Sequence, residues 1–246
     1  MEFILLGVGF FIGTMSGFFG IGGGMILVPL LLAIGFKMQD AIGISIVQMV
    51  FSSLFGSFLN WKKGSLIIGE GIFVGLGGFL GGYLGGSVTH LFPDWLLQAT
   101  FFALLLFALF RLLFSPSYEE GSETKALHKG VLFGLGVIIG VFSITLGVGG
   151  SIILTPLLVG FLHYPIKKAV SAGLFFVVFS SLAGLLSRLQ LGTIDFGHGL
   201  YVAVASLFGV ALGIWLKEHV HAKSHKKALL LLYLFALVVL VKKMWF

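Results

Sequence analysis

The chain has 246 residues, of which 58% are hydrophobic and 10% charged, with a net charge of +6 and a mean hydropathy of +1.13. Soluble domains of this size are about half apolar and about a quarter charged, so a water-soluble globule is excluded. At about 20 residues per span, the length allows about eight to ten membrane segments and leaves no room for a soluble domain. The absence of cysteine removes disulfides, thiolate metal sites, iron–sulfur clusters and cysteine nucleophiles. The positive charge does not form a nucleic-acid groove, because the basic residues stand at segment ends.

The start, Met1-Glu2-Phe3, lacks a basic leader and no small-residue cleavage site follows, so the first segment is expected to belong to the mature fold. Apolar blocks then run over 3–36, 41–61, 66–89 and 95–114. The polar stretch Ser115 to Gly130 follows, and further apolar blocks cover 131–162, 166–187, 196–216 and 228–246. The expected organisation is a membrane repeat over 1–114, a linker over 115–130 and a second membrane repeat over 131–246, together one transmembrane domain.

The two halves are copies. Gly20-Ile-Gly22-Gly23-Gly24-Met-Ile-Leu-Val-Pro29-Leu-Leu matches Gly147-Val-Gly149-Gly150-Ser151-Ile-Ile-Leu-Thr-Pro156-Leu-Leu at a shift of 127. After one inserted residue the shift becomes 128. It then pairs Phe51-Ser52-Ser53-Leu54 with Phe179-Ser180-Ser181-Leu182, Gly64 with Gly192, and Gly69-Glu70-Gly71 with Gly197-His198-Gly199.

The first block of each half is too long for one span and is interrupted by glycines. Read as one span, it splits the lysines and arginines seven to eight between the two sides. Read as a hairpin turning at Gly20–Gly24 and Gly147–Ser151, it places eleven on one side and leaves Lys37, Arg188, Lys242 and Lys243 on the other. The second split obeys the positive-inside rule. The expected fold is therefore all-α and integral to the membrane. It has two inverted repeats of four apolar blocks, each opening with a glycine-broken helical hairpin, with both termini outside and residues 115–130 cytoplasmic.

Glycine clusters inside apolar blocks expose backbone that lipid cannot satisfy, so they must face protein or a wet cavity. A short helix follows each cluster, Met25 to Phe36 and Ile152 to Leu162, and its start brings unpaired N–H groups and a positive dipole end into the membrane. Two such starts entering from opposite faces would meet near the midplane and form an anion site. Pro29 and Pro156 each remove one further hydrogen bond and should bend these helices. Close helix packing is the competing use of the glycines, and their repetition in both halves with a downstream proline favours the site.

The block Gly-Phe-Phe-Gly20-Ile-Gly-Gly-Gly-Met-Ile-Leu-Val-Pro29-Leu-Leu, its echo through Pro156, and Gly64 and Gly192 resemble the paired signatures of the TauE/SafE family of sulfite and organosulfur-anion exporters. The resemblance covers nearly the whole chain. It implies a multi-pass transporter of the prokaryotic cell (inner) membrane moving sulfite, sulfonates or related small anions, and no enzymatic activity. Two departures stand out: Ser151 replaces the Gly24 of the first half, and Gln48 is matched by Phe176.

Polar side chains within apolar blocks are candidates by default. The expected substrate-binding set is Gly20, Gly22, Gly23, Gly24, Gly147, Gly149, Gly150 and Ser151 with Gln48, Ser52, Ser53, Ser180 and Ser181. The serine hydroxyls could donate to an oxyanion or back-bond to their own helices. Thr14, Ser16, Ser143 and Thr145 flank the turns. Glu70 and His198 form a repeat-related ionisable pair bracketed by glycines, open to a gating or coupling role or to snorkelling at the faces, and Arg188 is expected to anchor the outer end of its span. The glycines of 66–89 predict helix packing within the protomer or between copies of a homo-oligomer. His219, His221 and His225 lie among lysines with Glu218 as the single neighbouring carboxylate, so no metal is expected, and no cofactor or nucleotide motif is present. The partners are thus a small anionic substrate and the lipid bilayer. An anion channel, or a membrane-embedded enzyme, is the alternative.

Overall fold

The computed structural model describes residues 2–66, 69, 71–114, 127–192 and 194–245. Among these it is wholly helical. The first half contains α1 (Glu2–Phe19), α2 (Gly24–Ala33), α3 (Met38–Lys62), α4 (Gly71–Val88), extended by a short 3-10 turn at Thr89–Leu91, and α5 (Asp94–Leu113). The second contains α6 (Lys129–Thr145), α7 (Ser151–Phe161), α8 (Ile166–Gln190), α9 (Phe196–His219) and α10 (Ala222–Trp245). Six of the described helices are long and apolar enough to cross a membrane. Their outward faces carry Phe, Leu and Trp, as lipid contact requires. The first short helix is two residues shorter than the expected Met25–Phe36, and the second has the expected length one residue earlier than Ile152–Leu162. Most of the expected linker, and Glu70, lie outside the described residues.

Each half packs on the other. In α1, Gly9, Gly13 and Gly17 lie against Val202, Ser206 and Val210 of α9, with numbers rising together, so the two helices run in parallel. In α4, Gly77, Gly81 and Gly85 lie in the same way against Phe133, Val137 and Val141 of α6. Small residues at four-residue spacing let the backbones approach closely, the usual basis of helix packing in lipid. The α4 glycines are therefore occupied within the protomer, with Gly78 and Gly82 turned to α8. A second copy meeting α4 would touch Leu76, Phe79, Leu80 and Leu84, which are exposed.

At the centre run α3 and α8, both 25 residues long, or about 37 Å at 1.5 Å per residue. At one end of the bundle α3 and α9 begin while α4 and α8 finish. There Gln39 Nε2 donates to Thr89 O at 3.1 Å and Arg188 Nη2 donates to Gln39 O at 3.2 Å. At the other end α3 and α9 finish and α8 begins, joined through Lys217, Asn60 and Ser171. Helix α1 advances toward this second end, where Phe18 O meets His225 Nε2 of α10 at 2.7 Å. The chain then reverses, and α2 returns to the end where α3 starts. On the other side, α7 ends with Phe161 under the Arg111 guanidinium of α5, 3.9 Å from the ring centre.

Candidate functional site

The reversals are made by glycine. Gly20, Gly22 and Gly23 have φ of 68, 73 and 96°, and Gly147, Gly149 and Gly150 have 70, 80 and 78°. Side-chain-bearing residues rarely adopt this left-handed backbone, which costs them roughly 1–2 kcal/mol each. The motif that the sequence repeats is thus a conformational requirement in both halves.

The two turns meet. A methyl on Gly24 would overlap the Gly147 carbonyl, and Ser45 Oγ donates to that same carbonyl at 2.7 Å. Gly22 and Gly149 both face Met49 and Val177, each the twelfth residue of its 25-residue central helix. The contact therefore sits halfway along α3 and α8. Both helix starts lack intrahelical partners for their first N–H groups, as every helix does. Gly23 O accepts from Ile26 and Leu27, and Gly150 O accepts from Ile153 and Leu154, which closes the first turn of each short helix.

Side chains differ between the two turns. Around the first lies Gln48, fully buried, whose amide oxygen would stand 2.5 Å from a β-carbon on Gly23. Neither polar atom of that amide has a partner among the described residues. Around the second lies the ring of Phe176, with Ser143 Oγ at 2.6 Å from the equivalent position on Gly150. The buried hydroxyls of Ser151 and Thr155, at the start of α7, also lack partners among the described residues, and Thr155 Oγ1 and the Ser151 β-carbon approach Gly173 of α8. Pro29 and Pro156 are buried inside α2 and α7.

The expected serines lie close by but their hydroxyl protons are engaged. Ser52 donates to Gly22 O at 3.2 Å and to Met49 O at 3.3 Å, tying α3 to the first turn. Ser53, Ser180 and Ser181 donate to the carbonyls three residues earlier at 3.4–3.5 Å. Ser45 and Thr155 were not legible as site residues. Ser45 has no hydroxyl counterpart in the second half, where Gly173 stands, and Thr155 matches Val28.

His198 is remote from the turns. It lies in the first turn of α9, where Asp195 caps the helix by accepting from His198 N at 3.1 Å and also pairs with the ring Nδ1. Partial burial pushes the Asp195 carboxyl up, and the hydrogen bonds from His198 outweigh this and hold it below the usual carboxylate range. Asp195 borders a cavity of about 590 Å3 that opens at the first end, lined also by Gln39, Asp40, His90, Arg188 and Phe196. Arg188, expected as an anchor, is only 2% exposed and turned inward onto this cavity.

Among the described residues no cluster of histidine and carboxylate could hold a metal. The family model described as sulfite exporter TauE/SafE matches residues 5–240. A probable membrane transporter protein of Methanocaldococcus jannaschii is 26% identical over 236 residues, covering 89% of this chain and 88% of that one. The probable membrane transporter proteins YunE and YdhB of Bacillus subtilis are 23% and 24% identical, covering 91% and 85% of this chain and 92% and 88% of theirs. No solved structure matches the chain. A glycine-turn bundle of membrane-length helices, matched over almost its entire length, places this multi-pass membrane protein in the TauE/SafE family of membrane transporters.

Proposed function

We propose that the protein is a carrier of small sulfur-containing oxyanions, sulfite or a sulfonate, which it takes at the meeting point of the two glycine turns. One observation carries this reading: a fully buried Gln48 amide without a partner among the described residues faces Gly23, beside two helix starts whose first N–H groups have no intrahelical partner. Donors and positive dipole ends gathered away from water suit an anion. The name of the family points to sulfite.

The halves act as inverted repeats, with both termini outside, the linker cytoplasmic and the cavity at the first end opening outward. The eleven-to-four distribution of basic residues supports this, as does the return of α2 to the end where α3 begins. A carrier fits better than a channel, because the turns are buried and in direct contact at the centre. The driving force is an ion or proton gradient, or simple downhill exit. No residue set points to covalent chemistry.

The test is flux of labelled sulfite and taurine in liposomes containing the purified protein. Saturable movement at carrier rates is expected, with loss in Gly23→Ala. Absence of movement for every sulfur oxyanion would sink the substrate assignment, and channel-rate conductance would sink the carrier. A cysteine placed at Ser122 should react with an impermeant reagent only from the cytoplasmic face.

A further inference from the structure

A lysine in the last turn of a membrane helix ordinarily extends its ammonium to headgroups or water. Lys217, in the last turn of α9, does the opposite: it is 1% exposed, and its Nζ donates to Asn60 Oδ1 of α3 at 2.7 Å and to Ser171 Oγ of α8 at 2.9 Å. Both partners are neutral. Among the described residues no carboxylate lies within ion-pair distance of it, because Glu218 pairs with Lys63 at 2.8 Å. Lys167 also closes in, donating to the backbone carbonyl of Glu218 at 3.2 Å. The Nδ2 of Asn60, in a fully buried side chain, has no acceptor.

A buried cation without a counter-ion and a buried donor without an acceptor are both costly. The carbonyl end of α9 stabilises the charge in part, and does nothing for Asn60. One ligand class answers both needs: a small oxyanion, taking the third ammonium proton and the amide proton on adjacent oxygens.

The repeat supplies an independent argument. A shift of 128 carries Asn60 onto Arg188, and Gln39, Asp40 and His90 onto Lys167, Lys168 and Glu218. Arg188, Gln39, Asp40 and His90 line the cavity at the first end. The Lys217 cluster therefore occupies, at the second end, the place that the cavity occupies at the first.

We propose that Lys217, Asn60 and Ser171 form an inner subsite for a small oxyanion, the cytoplasmic counterpart of the outer cavity beside Arg188. This rests on the transport reading above. With the inner end closed, Lys217 is held by Asn60 and Ser171; when that end opens, the oxyanion enters beside them and bridges Lys217 Nζ and Asn60 Nδ2.

The experiment measures labelled sulfite uptake into membrane vesicles of both orientations carrying the full chain. Lys217→Met and Asn60→Asp should each raise the half-saturating concentration at the cytoplasmic face tenfold or more and leave the external face within twofold. Lys217→Arg should remain within threefold at both. Asn60→Asp gives the ammonium a counter-ion, so it should melt no lower than wild type while losing cytoplasmic affinity, an outcome that a purely structural lysine would not produce. Folded Lys217→Met and Asn60→Asp proteins with wild-type half-saturation at the cytoplasmic face would overturn the subsite and leave the transport reading standing. Wild-type vesicles that move neither sulfite nor taurine would overturn that reading and the subsite with it.

Discussion

The two glycine turns share a backbone and differ in what surrounds it. Each reverses through left-handed glycines, starts a short proline-bearing helix and rests on the middle of α3 and α8. The first meets an unpartnered amide, Gln48, and the second meets the ring of Phe176 at the equivalent position. Duplication has preserved the conformation and let the side chains diverge. The buried Gln48 amide thus has no amide counterpart at the second turn, where the polar groups are the hydroxyls of Ser143, Ser151 and Thr155.

The strongest way to break this contrast is a methyl on each turn. Gly23→Ala and Gly150→Ala both force an unfavourable φ, costing roughly 1–2 kcal/mol. Gly23→Ala meets the movable end of Gln48 and, at 2.8 Å, Ile12 Cγ2, whereas Gly150→Ala overlaps the buried Phe176 ring and meets Ser143 Oγ at 2.6 Å. Gly150→Ala should therefore lower the melting temperature more, while liposome flux should be lost in Gly23→Ala even where the protein folds normally. Equal destabilisation with flux retained in both would reduce the glycines to packing residues.

Gln48→Leu sharpens the comparison in the opposite direction. Removing a buried amide without partners relieves a penalty of about 1–3 kcal/mol, so this variant should melt higher than wild type. Its sulfite affinity should fall by about tenfold or more, equivalent to roughly 1.4 kcal/mol. A variant that is more stable and binds as before would remove Gln48 from the site.

The serines should separate by smaller amounts. Ser52 donates to the first turn, so Ser52→Ala should cost about 1 kcal/mol of stability and weaken transport by loosening Gly22. Ser180 donates only to its own helix, and Ser180→Ala should leave both unchanged. Comparable losses in the two variants would restore the symmetric role that the repeat suggests.

Asp195→Ala lies at the end where α9 begins, away from both turns, and should lower stability while leaving binding at the turns unchanged. Loss of the α9 cap costs about 0.5–2 kcal/mol. Because the folded carboxyl titrates below its ordinary value, its contribution is present above that value and disappears as pH falls below it. Melting temperatures of wild type and Asp195→Ala should therefore converge under strongly acidic conditions. Divergence there would contradict the assigned cap.

Much of this was legible in the sequence because duplication turns weak signals into paired ones. Gly20–Gly24 alone is ambiguous between a turn and a packing face, but its recurrence at Gly147–Ser151 with Pro156 downstream identifies a structural unit. Among the described residues the eight apolar blocks resolve into ten α-helices, because the glycines divide the first block of each half. Gln48 was visible as a polar residue one turn before Ser52, while the free state of its amide depends on neighbours that no spacing reveals. Ser45, Thr155 and the inward course of Lys217 were hidden for the same reason. A lysine near a helix end reads as a headgroup anchor, and only the approach of α3 and α8 shows it turned inward.

The central claim, that the first glycine turn with Gln48 holds the anion, is tested most directly by the melting temperature of the purified protein with sodium sulfite against sodium chloride at matched ionic strength. A ligand bound to the native state raises stability by mass action, about 2.7 kcal/mol at a hundred times its dissociation constant. Wild type should show a sulfite-dependent rise, and folded Gly23→Ala should show none. A folded Gly23→Ala protein whose melting temperature rises with sulfite as far as that of wild type would contradict the account.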